Sequence, residues 1–186
     1  WWSWGNINAF AHYRLAQTDR KFLGYIEKNL ERFKSNSDKN VFELGADAAW
    51  GSNNTYLGIV LQNILWKKLT FDERYDRLAA NQRDFILGRN PWGISFISGA
   101  GSNYVRSLHH QISHLKGVKL PGGFAAGPVK KEILDGYKIP YEKKDPYSIF
   151  QSGDFYYRDE RTDYITNEPT IVGNATALFV FGFYSR

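Results

Sequence analysis

The feature that most constrains this chain is a long segment, residues 88–163, which has no sustained hydrophobic period and lies between two regions with helical spacing. The segment is rich in glycine, proline, serine and aromatic residues. A stretch of that length without regular structure is uncommon inside a compact domain unless it builds a functional surface. We therefore predict several crossing loops that together form one face of the protein.

Helical spacing of apolar residues is clear on both sides of this segment. It predicts helices over residues 7–17, 21–34, 55–68 and 169–184. Thr70, with Glu73 three residues later, has the pattern of a capping box and predicts the start of another helix, which ends at Gly88. Pro169 suits the first turn of the last helix. The pattern therefore predicts an all-α fold of paired helices.

Composition excludes several classes of protein. The 24 Lys and Arg residues occur at most as isolated doublets, which argues against nucleic-acid binding, and no apolar run reaches the length of a membrane span. The chain lacks cysteine, which excludes disulfides and thiolate metal sites. It opens at Trp1 without a methionine or a signal-like segment, so we expect a piece of a larger protein. Aromatic residues make up 17% of the chain, a content that suits stacking against sugar rings as well as core packing.

Carboxylates and aromatic residues are concentrated at residues 157–170, just before the last helix. Hydrolysis of an acetal needs a proton donor for the leaving oxygen and a second carboxylate that activates water or attacks. Paired acids beside aromatic rings, such as Asp159 and Glu168, are suited to that chemistry. The alternative is that Glu168 only stabilises the N-terminus of the following helix through the helix dipole.

A second concentration of reactive side chains is formed by His109, His110 and His114. Three imidazoles this close could bind zinc, but no cysteine or acidic residue lies among them and the spacing is not that of a helical zinc motif. Hydrogen bonding to a polar ligand or to loop backbone is the better interpretation, and no metal site is predicted.

These segments resemble the two signatures of glycoside hydrolase family 9, the inverting cellulases with an (α/α)6 barrel. The first signature is matched at Ser95–Ser98, Gly101, Asn103 and Leu108–His109. The second is matched at Tyr157, Asp159, Tyr164, Glu168, Thr170 and Asn174–Ala175. Further family segments occur in the same order at residues 50–53, 87–91, 121–123 and 127–128. The resemblance therefore spans nearly the whole chain.

The resemblance implies an enzyme that cleaves β-1,4-glucosidic bonds in cellulose or a related β-glucan with inversion, secreted or periplasmic. It implies that Glu168 is the general acid, Asp159 a supporting carboxylate and His109 a substrate contact beside the scissile bond. Trp50 would stack on sugar, with His110, Gln111 and Tyr164 in the same binding region. No cofactor is implied for the chemistry, although a complete domain could hold a structural calcium ion.

Two positions of the chain depart from the family pattern. Gln111 stands where the family usually has arginine, which removes a fork of charged donors and puts the usual substrate contact in doubt. The aspartate-rich motif that carries the family's catalytic base has no match, since neither Asp47 nor Asp154 has the paired aspartate. We therefore expect residues 1–186 to be the C-terminal half of one catalytic domain, inactive alone and partnered by the N-terminal half.

Two other functions remain open from the residues alone. A non-catalytic carbohydrate-binding module could use Trp50, Trp92 and the loop tyrosines as an aromatic platform. A half barrel could instead have a structural or assembly role. Glu168 discriminates among them, because only an enzyme needs its carboxylate.

Overall fold

The structure is a computed structural model that describes residues 2–3 and 6–185, so Trp1, Trp4, Gly5 and Arg186 lie outside the described residues. A short antiparallel hairpin joins β1 (Trp2–Ser3) to β2 (Asn6–Ile7), with Trp2 opposite Ile7. The helices are α1 (Asn8–Ala16), α2 (Leu23–Ser37), α3 (Ser52–Thr70), α4 (Asp76–Ile86), α5 (Gln111–Lys116), α6 (Lys131–Tyr137), α7 (Tyr164–Asn167) and α8 (Ile171–Tyr184). Single 3-10 turns lie at Arg20–Phe22 and Ser148–Phe150. Along the described stretches, every helix falls short of the length or the apolar character that a membrane span needs.

Helix α3 is the centre of the fold. Every residue from Ser52 to Trp66 is buried except Thr55, and α1, α2, α4 and α8 all pack against this helix. A helix that is buried on nearly all sides needs other elements packed around it. The core around α3 includes Leu57, Val60, Leu61, Ile64, Phe85 and Val180. We call α1–α4 and α8 the helical layer, and its paired helices agree with the all-α prediction.

The prediction that Thr70 begins the fourth helix is wrong. Thr70 is the last residue of α3, and its hydroxyl donates a hydrogen bond back to the carbonyl of Trp66 at 2.8 Å. This back-bonding lets the hydroxyl serve the helix that is ending rather than the next one. Phe71 then ends α3 in the left-handed conformation, with φ of 60°, and α4 starts only at Asp76.

Residues 88–168 form a second layer, which we call the loop layer. The expected crossing loops are present, and isolated bridges pair Ser95 with Tyr104, Ile97 with Phe124 and Val129 with Tyr156. The sequence did not predict α5, α6 and α7 inside this layer. Helices of one or two turns are too short to show a hydrophobic period.

The two layers meet at the N-terminal end of α3. The Asn53 side chain donates a hydrogen bond to the carbonyl of Ala125 at 3.0 Å, and the Ser52 hydroxyl donates to that of Pro128 at 2.6 Å. Between these contacts, Gly127 has φ of 99°, and a Cβ atom there would lie 2.4 Å from the Asn53 side chain. Glycine is therefore required by both conformation and space. The loops are held directly over the end of the central helix.

Candidate active site

Glu168 lies in an extended linker between α7 and α8. It ends α7 with φ of −71° and ψ of 121°, a conformation favoured for a residue before proline. The expected helix start at Pro169 is wrong, because α8 begins at Ile171 and Thr170 is its N-cap. The Thr170 hydroxyl accepts the hydrogen bond from the N–H of Gly173 at 3.0 Å. Thr170 therefore caps α8, and Glu168 does not serve as its N-cap.

The Glu168 carboxylate has no structural partner in the part of the chain that the structure describes. Its side chain is half-buried, and it makes no hydrogen bond or ion pair with the described residues. A half-buried carboxylate without a partner is suited to interact with a ligand.

Asp159 differs from Glu168, because main-chain groups hold both of its oxygens. Its Oδ1 accepts a hydrogen bond from the N–H of Ser107 at 2.7 Å, and its Oδ2 accepts one from the N–H of Arg106 at 2.9 Å. Burial raises the pKa of Asp159, although these two N–H groups favour its charged form. Asp159 thus anchors the strand-like segment that leads to His109.

Two further acids near Glu168 are also held within the loop layer. Asp163 is fully buried, and its Oδ1 accepts hydrogen bonds from the N–H groups of Ile165 and Thr166 at 3.1 and 3.0 Å. Glu160 is buried in an ion pair with Arg158 at 2.8 Å. Burial would raise the pKa of Glu160, but the Glu142 N–H and the Arg158 charge outweigh it, and the pKa lies below its usual value. Both acids hold loops together.

His109 is brought next to Glu168 by a main-chain contact. Its N–H donates to the carbonyl of Asn167, the residue before Glu168, at 3.0 Å. Its ring Nδ1 lies 2.7 Å from the carbonyl oxygen of Arg161. Because a carbonyl can only accept, Nδ1 carries a proton, and Nε2 makes no hydrogen bond with the described residues. The imidazole therefore has a fixed orientation and one open nitrogen.

The rings of Trp50, Tyr164 and His109 form a row, with Tyr164 between the other two. Ring centroids are 6.0 Å apart between Trp50 and Tyr164, and 5.9 Å apart between Tyr164 and His109. The ring of Tyr137 packs edge-on against Trp50, with the ring centroids 5.3 Å apart. Trp50 and His109, which are far apart in the sequence, are thus linked through Tyr164, in the short helix that leads to Glu168.

The remaining predicted binding residues lie in a shallow cleft beside this row. The cleft has a volume of about 400 Å³ and is lined by His109, His110, Gln111, His114, Arg161 and Thr162. Gln111 is exposed at the start of α5. His110 is the N-cap of α5, and its Nδ1 accepts a hydrogen bond from the N–H of Ser113 at 3.3 Å. Within the described residues, no three histidine or acidic side chains are grouped as metal ligands would be.

Trp92 and the two unmatched aspartates do not contribute to this cleft. Trp92 is only 4% exposed, and its indole N–H donates to the Gln151 side chain at 3.1 Å. The expectation of a stacking role for Trp92 is therefore wrong, because its ring is enclosed in the core between other aromatic rings. Asp47 and Asp154 are both exposed and line a different depression near α2.

The structure adds Asn167 and Tyr141, which sequence reasoning missed. Asn167 is fully buried and donates from Nδ2 to the carbonyl oxygens of Arg158 and Glu160. Tyr141 donates its hydroxyl proton to Asp163 at 3.1 Å. The position of Asn167 just before Glu168 is the one signal that could have indicated its importance. Nothing in the spacing of Tyr141 indicates a partner so far along the chain.

Among the acids, the threonine and the asparagine of the second signature, Glu168 is the one whose side chain has no hydrogen-bond partner within the described residues. Tyr157 donates its hydroxyl proton to the Asn167 side chain at 2.6 Å, and the Asn174 side chain accepts from the N–H of Phe124 at 3.2 Å. Asp159 and Thr170 are engaged as described above. The signature therefore builds a scaffold around one unengaged carboxylate.

Comparison with protein families finds one match over almost the whole chain. The model of glycosyl hydrolase family 9 matches residues 1–181. Endoglucanase 10 of Arabidopsis thaliana is 34% identical over 104 residues, which are 52% of this chain and 18% of that protein. Endoglucanase 13 of Oryza sativa subsp. indica is 32% identical over 111 residues, 55% of this chain and 17% of that protein. The chain thus spans about a fifth of the length of these curated relatives.

Solved structures agree with this family match. A metagenome-derived glycoside hydrolase family 9 endoglucanase superposes on 98% of this chain with a TM-score of 0.78 and 26% identity, and the match covers 33% of that chain. AaCel9A in complex with a cellobiose-like isofagomine superposes on 89% of this chain with a TM-score of 0.71 and 23% identity, and the match covers 31% of the AaCel9A chain. The fold expectation is confirmed: the chain is an all-α portion of an (α/α)6 barrel.

Proposed function

Because the chain belongs to glycosyl hydrolase family 9, we propose that it supplies the general acid of an enzyme that cleaves β-1,4-glucosidic bonds in cellulose or a related β-glucan. The relatives named above are endoglucanases, and one structural neighbour is complexed with a cellobiose-like molecule. In this proposal the polymer is cut outside the cytoplasm, and no cofactor takes part in the chemistry.

One observation carries the proposal: Glu168 is the unengaged carboxylate in a segment whose other acids are all held. Asp159, Glu160 and Asp163 accept hydrogen bonds from main-chain N–H groups. A general acid must instead keep its oxygen available for the leaving group. Glu168 meets that requirement, and the residue before it is hydrogen-bonded to the main chain of His109, whose imidazole is oriented by the Arg161 carbonyl.

In the proposed reaction, Glu168 protonates the glycosidic oxygen as the bond to the anomeric carbon breaks. Water attacks that carbon from the opposite face, so its configuration is inverted, and a second carboxylate takes a proton from the water. The two carboxyl groups of inverting enzymes are typically about 6.5–9.5 Å apart. Asp159 supports the site by holding the segment before His109, and we assign the base to a part of the domain outside residues 1–186.

Substrate contacts follow from the same arrangement. The half-buried Trp50 and Tyr164 offer aromatic surface to a sugar ring. The Nε2 atom of His109, which makes no hydrogen bond with the described residues, is suited to accept one from a sugar hydroxyl, and His110 and Gln111 extend the polar wall of the cleft. Gln111 is uncharged, so this wall lacks the fork of charged donors with which an arginine would make two parallel hydrogen bonds to a ligand.

The proposed partner of this chain is the remaining, N-terminal portion of the same catalytic domain. Helix α8 exposes apolar side chains on one face, with Ile171 90% exposed and Leu178 79% exposed. Exposed apolar faces of this kind mark surfaces that another element covers. In this proposal residues 1–186 alone lack the base and do not hydrolyse β-glucan.

The test is the Glu168→Gln substitution in the complete protein that contains this chain. General acid catalysis is worth about 10²- to 10⁴-fold, so we expect a loss of that size on a β-1,4-glucan. A dinitrophenyl β-cellobioside, whose leaving group needs no protonation, should lose much less. Glu132→Gln, which changes an exposed carboxylate in the first turn of α6, is the matched control and should keep full activity on both substrates.

Four results would contradict the proposal. If Glu168→Gln hydrolysed glucan at the full rate, Glu168 would not be the general acid. If the complete protein showed no hydrolysis, a carbohydrate-binding module would be favoured. A β-anomer as the first product in an NMR time course would exclude inversion. Turnover by isolated residues 1–186 that disappears with Glu168→Gln would place the base within this chain.

A further inference from the structure

We propose that Asn167 is a positioning residue that fixes Glu168 and His109 relative to each other. This inference rests on the proposed function, since it takes Glu168 as the general acid. Asn167 directly precedes Glu168 and is fully buried. It touches no substrate in this proposal and acts through the two residues beside it.

The main chain of Asn167 connects the two site residues. Its carbonyl oxygen accepts the N–H of His109 at 3.0 Å, and its own N–H donates to the carbonyl of Asp163 at 3.1 Å. The N–H and the carbonyl belong to the two peptide units on either side of the Asn167 Cα, and these units join the end of α7, the His109 segment and the Glu168 backbone. A rotation of the unit that carries the carbonyl would move the imidazole and the acid with respect to each other.

The side chain of Asn167 holds that peptide unit in place. Nδ2 donates to two main-chain carbonyls, of Arg158 and of Glu160, the latter at 3.1 Å. Oδ1 accepts the hydroxyl proton of Tyr157 at 2.6 Å. An amide is the side chain that offers two donors and an acceptor at this position, so aspartate and leucine of similar size cannot replace it.

Burial makes these hydrogen bonds consequential. Without the amide, the buried Tyr157 hydroxyl loses its acceptor, and each of the two carbonyls loses one of its two donors. The Arg158 carbonyl keeps the Thr166 hydroxyl at 3.4 Å, and the Glu160 carbonyl keeps the N–H of Asp163 at 3.0 Å. Here the carbonyls belong to the residues on either side of Asp159, which anchors the segment before His109. Loss of the amide would therefore disturb both the segment that leads to His109 and the segment that leads to Glu168. A displacement of about 1 Å in a catalytic group can cost about 100-fold in rate.

The experiment compares Asn167→Ala with Asn90→Ala in the complete protein. Asn90 is the matched control, because it is also buried and its Nδ2 also donates to two main-chain carbonyls, those of Phe85 and Ile94 at 2.7 Å each. Rates are measured on a β-1,4-glucan and on dinitrophenyl β-cellobioside at a temperature where thermal melts show every variant folded.

We expect Asn167→Ala to lower the rate on the glucan by about 10- to 100-fold and the rate on the activated cellobioside by less than about 3-fold. A misplaced acid hinders only the substrate that needs protonation. Asn90→Ala should leave the ratio of the two rates unchanged, because its side chain bonds to the carbonyls of Phe85 and Ile94 and not to the segments that carry Glu168 and His109. Asn167→Asp should behave like Asn167→Ala, because its carboxylate cannot donate to the two carbonyls.

The outcomes separate this inference from the proposed function. If Glu168→Gln shows the selective loss on glucan while Asn167→Ala lowers both rates equally or neither, the positioning role is refuted and the acid assignment stands. If Glu168→Gln itself shows no selective loss, the proposed function fails before Asn167 is considered. A selective loss in Asn90→Ala as well would also overturn the inference, since any buried amide would then have the same effect.

Discussion

The helical layer and the loop layer are held together by different means. In the helical layer, α3 is enclosed by apolar side chains from four neighbouring helices. The loop layer has apolar core residues too, but among the described residues the two buried carboxylates, Glu160 and Asp163, both lie in it. Each of these accepts hydrogen bonds from main-chain groups of other loop residues.

This difference shows how irregular backbone can be fixed beside a binding site. Apolar contact is non-directional and leaves a loop free to slide, whereas a buried carboxylate or amide accepts only partners at set distances and angles. The loop layer therefore gains a defined geometry at the cost of depending on a few polar residues. The proposed site lies in this layer, where positions of individual atoms matter most.

The largest expected effect on stability is from Glu160→Gln in the loop layer. It removes a buried charge and leaves Arg158, whose side chain is 11% exposed, without its ion-pair partner. Breaking a buried pair in this way typically costs about 3–5 kcal/mol. Urea unfolding of the complete protein at pH 7 measures the loss. The double substitution of Glu160 and Arg158 by methionine is the control, and it should be less destabilised than the single one.

The pH dependence of that loss is a further part of the same prediction. The pKa of Glu160 in the folded protein lies below its ordinary value of 4.5. The carboxylate therefore contributes stability that is fully present above pH 4.5 and is lost as the pH falls through its lowered pKa. The difference between wild type and Glu160→Gln should shrink below that pH. An equal difference at pH 7 and well below pH 4 would show that the charge is not the cause.

In the helical layer, Leu57→Ala is expected to have a somewhat smaller effect that does not depend on pH. Leu57 has no exposed surface in α3, and truncation of a buried leucine costs about 2–5 kcal/mol through lost burial and the cavity left behind. The volume-conserving Leu57→Met should cost less than about 1.5 kcal/mol. If the loss for Leu57→Ala followed the same pH curve as that for Glu160→Gln, the contrast between the two layers would be wrong.

The same contrast explains what could be predicted from the sequence. Periodicity located the helices of the helical layer, as in α2, which buries Ile26, Leu30 and Phe33 at helical spacing. The motifs indicated which loop residues belong to one site. The hydrogen bonds of Asn167 and Asp163 could not be predicted, because a buried polar residue in a loop leaves no periodic pattern. Thr70 misled the helix boundary because threonine also bonds backward at a helix end.

The smallest of these effects is expected at Thr170, where the two layers join. Its hydroxyl caps α8 by accepting the N–H of Gly173 at 3.0 Å. Loss of an N-cap hydroxyl costs about 1 kcal/mol, so Thr170→Ala should lower the stability of the complete protein by that amount. Thr170→Ser keeps the acceptor and should restore most of the loss.

The pair of variants at Thr170 also tests whether the cap and the proposed acid are independent. One residue, Pro169, separates Glu168 from the N-cap Thr170, and the cap bond lies on the α8 side of Pro169. Because Asn167 and Pro169 fix the Glu168 backbone from the loop side, Thr170→Ala should slow glucan and activated cellobioside hydrolysis by the same small factor. A selective loss on glucan in Thr170→Ala, restored in Thr170→Ser, would mean that the start of α8 positions the acid together with the loop layer.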